Sequence, residues 1–367
     1  MRAYLLITAA VAISTLLFTF ATLFVARKLK LHRPIRKRDQ HETPVPRIGG
    51  VAIFLGLLVG FGLAGTLGWF ETVFEDMGVI WAIIGSAAII TVVGLLDDLI
   101  DMDWTLKLAG QILAAGLLAW QGVQIVSLPI GGLVVGSYGF SLVMTVLVLL
   151  VVMNAVNFID GLDGLAAGVI AIGTGTFFLY VYLLAQQTSP TNYFNTAGLL
   201  SVIVLGACLG FLPLNWRPAK IFMGDSGAML LGMLMATSAI LVTGQIDPLT
   251  VTRNDLLPAL FPLILPVAIL ILPLLDLLLS VLRRLRLGKS PFQADEGHLH
   301  HRLQDLGHSH PIAVLVFYIW TAVISITGLL FFFLEVPQVL VFASLGVSGA
   351  LVFTLWPVIV RRYKGVQ

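Results

Sequence analysis

Charged residues are scarce in this sequence. They make up 11% of the 367 residues, against about 25% in soluble domains. A chain so poor in charge cannot cover a water-facing surface, which excludes an ordinary soluble enzyme. Cysteine is nearly absent as well. Cys208 stands alone, which excludes an internal disulfide and a cysteine-rich metal site and suits a small apolar residue inside a helix. Internal repeats and low-complexity segments are also missing, so residues 1–367 read as one transmembrane domain. What fills the chain instead is apolar residue, 58% of the total, in runs long enough to span a bilayer as helices. The expected fold class is all-α, a polytopic integral membrane protein.

Eleven spans are predicted, near 3–26, 48–69, 78–96, 106–122, 139–158, 165–185, 197–213, 226–243, 257–281, 312–334 and 338–360. The basic cluster Arg27 to Arg38 follows the first span, whereas a cleavable signal carries its charge before the apolar stretch. Lys and Arg stay on the cytoplasmic side. Counted along the spans, 19 of the 21 fall on one face, with Arg2 and Arg253 on the other. The N-terminus is therefore expected outside, the C-terminus inside, and the protein in the cytoplasmic (inner) membrane. Arg284 is expected to face lipid headgroups.

Apart from acids scattered over the outer loops, most acidic residues gather at the cytoplasmic ends of helices. In "NAVNFIDGLDGLAAG", Asn154 and Asn157 are three apart and share a helical face. Asp160 and Asp163 follow in two Asp-Gly pairs, where glycine ends one helix before the next begins. Taken singly, these are as well explained as caps and interhelical hydrogen bonds. Four together at one helix end point to a site, and their oxygens suit Mg²⁺. In "DDLIDMDW", Asp97 and Asp101 are i,i+4 with Asp98 adjacent. Like charges at that spacing need a cation or a proton, and Lys107 is a nearby positive charge. Asp103 reads as solvated. In "NWRPAKIFMGDSGAMLLG", Asp225 precedes an apolar run and fits a helix N-cap, and Phe222 fits a membrane-surface anchor. "HLHHRL" carries His298, His300, His301 and Arg302 in an inner loop. No cysteine or second histidine cluster completes a zinc site, so phosphate fits these residues better than metal. Asp276 in "PLLDLLL" is the exception to the geography, either a buried polar contact or a residue lining a cleft.

The residues alone describe a Mg²⁺-dependent enzyme acting on phosphates at the bilayer edge. "DDLIDMDWTLKL", "NAVNFIDGLDGLAAG", "NWRPAKIFMGDSGAMLLG" and "SPFQADEGHLHHRL", with "TPVPRIGG" near residue 50, resemble the polyprenyl-phosphate N-acetylhexosamine-1-phosphate transferases (glycosyltransferase family 4). The resemblance covers nearly the whole chain in order. "HLHHRL" is similar to the undecaprenyl-phosphate GlcNAc-1-phosphate transferase branch, which starts O-antigen, lipopolysaccharide, common-antigen or teichoic-acid linkage synthesis. The peptidoglycan phospho-MurNAc-pentapeptide transferase branch typically has three consecutive histidines, and here Leu299 separates His298 from His300.

The resemblance implies transfer of N-acetylhexosamine-1-phosphate, most often GlcNAc-1-phosphate, from a UDP-sugar to undecaprenyl phosphate, with release of UMP. It implies Mg²⁺, with Mn²⁺ as a substitute, a homodimer, and no nucleic-acid partner. Carried over by residue, Asn157 and Asp225 match metal-binding positions. Asp97 and Asp98 match the catalytic acid pair, with Lys107 beside them. Phe222 matches an aromatic that stacks on uracil, and Asp163 a residue contacting the base. His300, His301 and Arg302 match the loop over diphosphate and sugar. Asn154, Asp160 and His298 are substrate-binding candidates within the same motifs. The acceptor phosphate, with a second pKa of about 6, is largely deprotonated at cytoplasmic pH. Direct attack on the β-phosphorus is therefore favoured over an aspartyl phospho-enzyme. An intramembrane prenyltransferase would need a second Asp-rich motif, which "DGLDG" matches poorly. A transporter would place its acids near mid-span.

The topology has a direct test. In a Cys208→Ser background, a single cysteine at position 290 is expected to react with an impermeant thiol reagent only after the cells are permeabilised. Labelling in intact cells would overturn the orientation.

Overall fold

The computed structural model describes residues 1–31, 45–125, 127–129, 133–135, 137–188, 194–243, 271–286, 288 and 299–363. Within them the chain is a helical bundle. The helices are α1 (Arg2–Lys28), α2 (Gly50–Thr66), α3 (Met77–Ile100), α4 (Trp104–Trp120), α5 (Tyr138–Ile159) and α6 (Leu165–Thr188). They continue with α7 (Thr196–Asn215), α8 (Gly224–Thr243), α9 (Ile271–Arg286), α10 (Leu299–Asp305), α11 (His310–Leu330) and α12 (Val336–Tyr363). Among the described residues, 8 helices are long and apolar enough to cross a membrane. α2 would make a ninth if it forms one span with the 3₁₀ turn Gly68–Phe74, although the two are bent by 109°. The expected span at 106–122 is the 17-residue α4. The expected span at 257–281 lies mostly outside the described residues, with its end in α9. One feature departs from an all-helical reading. β1 (Ser127–Pro129) pairs antiparallel with β2 (Leu133–Val135), Ser127 opposite Val135, in a segment too short to register as a strand pattern.

α8 is the centre of the bundle. It packs against α2, α3, α5, α6 and α7 and is buried along nearly its whole length. Its sequence explains this, because Gly227, Ala228, Gly232, Ala236, Ser238 and Ala239 are small enough for neighbouring helices to approach closely. Around it, α1 packs on α7 and α2, α6 on α7 and α11, α3 on α4, α4 on α5, and α9 on α5.

Gly94 sets the approach of α3 to the start of α8. A Cβ there would run into the backbone of Ser226 and Asp225. The contact carries Asp98, four residues on, to the first turn of α8. Its carboxylate accepts hydrogen bonds from the Asp225 N–H at 3.0 Å and from the Ser226 N–H and hydroxyl, both at 3.2 Å. The cap of α8 therefore comes from α3. Asp225, expected as the N-cap, lies inside the first turn.

Asp101 is the C-cap of α3, with a left-handed backbone at φ 53° and its N–H donating to the Asp97 carbonyl at 3.1 Å. One further expectation changes. Arg284 does not face headgroups. It is 4% exposed, and its guanidinium lies 5.4 Å from the centre of the Phe158 ring on α5, a cation–π contact. Asp276 is buried on α9, at 1% exposure.

The α3–α8 contact can be tested with one methyl group. Gly94→Ala is expected to lower stability by about 1–3 kcal/mol, the usual cost of overpacking. Gly116→Ala on α4, whose Cβ meets nothing within 4 Å, is expected to gain up to about 1 kcal/mol from helix propensity. Thermal midpoints of the purified variants in detergent measure both. Equal midpoints would mean that α3 and α8 are not in close contact.

Candidate active site

The acidic motifs meet at one end of the bundle. α3 and α5 end there, while α4 and α8 begin there. Neighbouring residues on a helix project about 100° apart, so Asp97 and Asp98 face different ways. Asp98 is buried on the start of α8 at 7% exposure. Asp97, half-buried, accepts from the Met102 N–H at 2.9 Å and from the Lys107 ammonium at 3.1 Å. Lys107, in the second turn of α4, also pairs with Asp225. The Asp97 carboxyl group and the Asn157 side chain lie close enough to Asp225 to affect its charge. Thus Asp97, Lys107, Asn157 and Asp225, from four helices, form one cluster.

Asp160 caps the C-terminus of α5. Removal from water, and then the nearby charges of Asp225 and Asp163, push its carboxyl up to about 7, with Arg47 acting in the opposite sense. Asp163 is buried and accepts from the Ala219 N–H at 3.1 Å. It thereby ties the α5–α6 junction to the loop before α8. Asn215 reinforces the tie, accepting from the Gly164 N–H at 3.1 Å and donating to the Ile221 carbonyl at 3.0 Å. The Tyr318 hydroxyl of α11 donates to the Gly164 carbonyl at 2.6 Å. Phe222, half-buried, lies in the same loop, its N–H donating to the Pro46 carbonyl at 2.8 Å.

Asn154 stands one turn deeper. Its amide donates to Gln111 Oε1 at 3.0 Å and to the Leu150 carbonyl at 2.8 Å, an interhelical contact between α4 and α5. Asp103 is the exposed N-cap of α4. The Thr105 N–H bonds its carboxylate at 3.0 Å and the Thr105 hydroxyl bonds it as well, which holds it below the usual carboxylate range. His298 lies outside the described residues. His300, His301 and Arg302 are on α10, where Arg302 is exposed.

Sequence reasoning missed Gln111, Asn215, Ser226 and Arg47. A lone glutamine in the apolar "AGQILAA" was a usable signal for Gln111. Ser226 and Arg47 matter through tertiary contacts that no spacing announces. Among the described residues, no group of three or more His, Cys, Asp or Glu is arranged to hold a metal. The oxygens available are those of Asp97, Asp225 and Asn157, fewer than a protein-only cage needs.

This arrangement, acids and one lysine at the ends of membrane-length helices, can bind a cation together with a phosphorylated substrate. The profile of glycosyl transferase family 4 matches residues 80–243, which run from α3 through α8 and include the cluster. The chain belongs to that family and is a multi-pass membrane protein. It is 36% identical over 329 residues to the decaprenyl-phosphate N-acetylglucosaminephosphotransferase of Mycobacterium leprae, covering 89% of this chain and 83% of the relative. The same-named Mycobacterium tuberculosis protein is 37% identical over 330 residues, 89% of this chain and 81% of its own. The probable undecaprenyl-phosphate N-acetylglucosaminyl 1-phosphate transferase of Bacillus subtilis is 32% identical over 297 residues, 80% of this chain and 75% of its own.

Asp98 and Asp103 both cap helices, one in the interior and one in solvent, so removing each should have different consequences. Asp98→Ala leaves buried N–H groups that water cannot reach, and is expected to cost about 1–3 kcal/mol. Asp103→Ala is expected to shift the thermal midpoint less, since water replaces the carboxylate. Midpoints in the reverse order would remove the capping role of Asp98.

Proposed function

We propose that the protein transfers N-acetylglucosamine-1-phosphate from UDP-N-acetylglucosamine to a polyprenyl phosphate, releasing UMP and starting a cell-envelope polysaccharide. The observation that carries this is the joining of Asp97, Lys107, Asn157 and Asp225 at one end of the bundle, in a chain of this family. The sequence motifs suggest undecaprenyl phosphate as the acceptor. The two mycobacterial relatives have decaprenyl in their names, so we assign the acceptor as a polyprenyl phosphate of either length. The basic-residue count supports a site on the cytoplasmic face of the inner membrane.

A phosphate oxygen of the acceptor attacks the β-phosphorus of the donor. The new bond is the lipid's diphosphate linkage. The bond from the β-phosphorus to the bridging oxygen breaks, and UMP leaves with the electron pair. The donor set fits Mg²⁺, which takes one or two carboxylates and completes its shell with waters and substrate phosphates. Asp225, Asn157 and Asp97 would hold it, and it would supply positive charge to the diphosphate. Lys107 supplies a fixed cation at the same place. Both Asp98 oxygens are engaged by the start of α8. Of the pair, Asp97 is therefore the better placed to orient the acceptor phosphate, with Asp98 a positioning residue. The acceptor arrives largely ionised, so no strong base is required.

The assay is UMP release by purified protein with UDP-N-acetylglucosamine, polyprenyl phosphate and Mg²⁺. Asp225→Asn keeps the size and one oxygen but removes the charge. It is expected to lose most activity, with the remainder requiring more Mg²⁺, whereas Asp103→Asn stays near wild type. Wild-type rate and Mg²⁺ dependence in Asp225→Asn would refute the metal assignment, and lipid-independent UMP release would refute the transfer.

A further inference from the structure

We propose that Arg47 binds the α-phosphate of the donor, the phosphate that leaves as UMP. This rests on the reading of the site given above and adds a residue to it. Residues 45–49, ahead of α2, are held against the loop before α8 by backbone bonds. The Phe222 N–H donates to the Pro46 carbonyl at 2.8 Å, the Gly49 N–H to the Phe222 carbonyl at 2.9 Å, and the Gly50 N–H to the Met223 carbonyl at 3.0 Å. Arg47 sits within this ladder, half-buried between the buried Pro46 and Ile48.

Its carbonyl packs where a side chain on Gly224 would stand, and the Asp98 carboxylate fills the same space. Gly224 has φ +67°, a backbone that glycine adopts at little cost. Arg47 is therefore fixed at the entrance to α8, beside Phe222 on one side and the Asp225 turn on the other. Its charge acts on Asp160, which also feels Asp225. The Arg47 backbone thus lies beside the proposed base-stacking residue and the turn that carries Asp225, and its charge is felt at Asp160, so an α-phosphate running from Phe222 to the proposed metal ligands would pass within its reach.

The chemistry of the site needs such a group. Asp97 and Asp160 each lie near enough to feel the charge of Asp225, and the proposed substrate brings an anionic diphosphate to them. Lys107 is committed to Asp97 and Asp225. Arg47 is a second cation whose charge reaches the cluster, and a planar guanidinium matches two phosphate oxygens at once. The competing explanation is that Arg47 only balances Asp160 and braces the loop.

Inhibition by UMP and by uridine separates the two, because uridine has the base and ribose without the phosphate. Arg47→Ala is expected to weaken UMP inhibition about tenfold or more, as for a lost hydrogen bond to a charged group. Uridine inhibition and the KM for polyprenyl phosphate should hold at wild-type values. Arg47→Lys, which keeps the charge and loses the fork, should fall between, and it carries the same comparison if the alanine variant does not fold. Unchanged UMP inhibition, or equal weakening of UMP and uridine, would overturn the proposal. If the wild type itself neither releases UMP nor is inhibited by it, the transferase reading fails instead.

Discussion

The structure depends on the capping of α8 by Asp98. An α-helix begins with N–H groups that have no partner within it, and α8 begins inside the bundle, where water cannot supply one. A carboxylate on α3 meets the need and also favours the positive end of the helix dipole. Because the acceptor belongs to another helix, the cap is also a tether. It fixes the end of α3 against the start of α8, and Gly94 allows the distance. Asp97, one residue before the cap, is then carried next to Asp225, the first residue to use it.

That neighbourhood is electrostatically demanding. Two carboxyl groups within reach of each other at the edge of an apolar bundle repel unless a cation lies between them. Lys107 takes this position from α4. Asp160, removed from water and lying near the same charges, has its carboxyl pushed up to about 7. In the proposed function, a divalent ion and the donor's diphosphate would replace contacts now made to lysine.

A second layer holds the frame. Asp163, Asn215 and Tyr318 fasten the α5–α6 junction to the loop before α8 and to α11, and residues 46–50 run alongside Phe222 and Met223. Asn154 and Gln111 do similar work one turn deeper, joining α4 to α5. Polar residues of one motif thus divide between the acidic cluster and the helix packing. Asn157 reaches Asp225, while Asn154, three residues earlier, spends its amide on a neighbouring helix.

The sequence alone determined the class of fold, because apolar runs without charge can be satisfied only as membrane-length helices. It also marked the acid-rich motifs, since several Asp and Asn gathered at one helix end exceed what capping alone needs. Four of the residues it singled out, Asp97, Lys107, Asn157 and Asp225, do come together in space. Which oxygen does what was decided by tertiary structure. Asp97 and Asp98 are adjacent and chemically identical, and only the arrival of α8 beside α3 makes Asp98 a buried cap and leaves Asp97 half-buried and paired with Lys107. Arg284 looked like a headgroup contact until α5 supplied Phe158. Arg47 stands inside "TPVPRIGG" with no role read for it, and its place is fixed only by the packing of residues 46–50 against Phe222 and Gly224. The physical reason is the same in each case. Hydropathy and helical periodicity are properties of a single segment, whereas a hydrogen-bond partner or a neighbouring charge belongs to whichever segment packs against it.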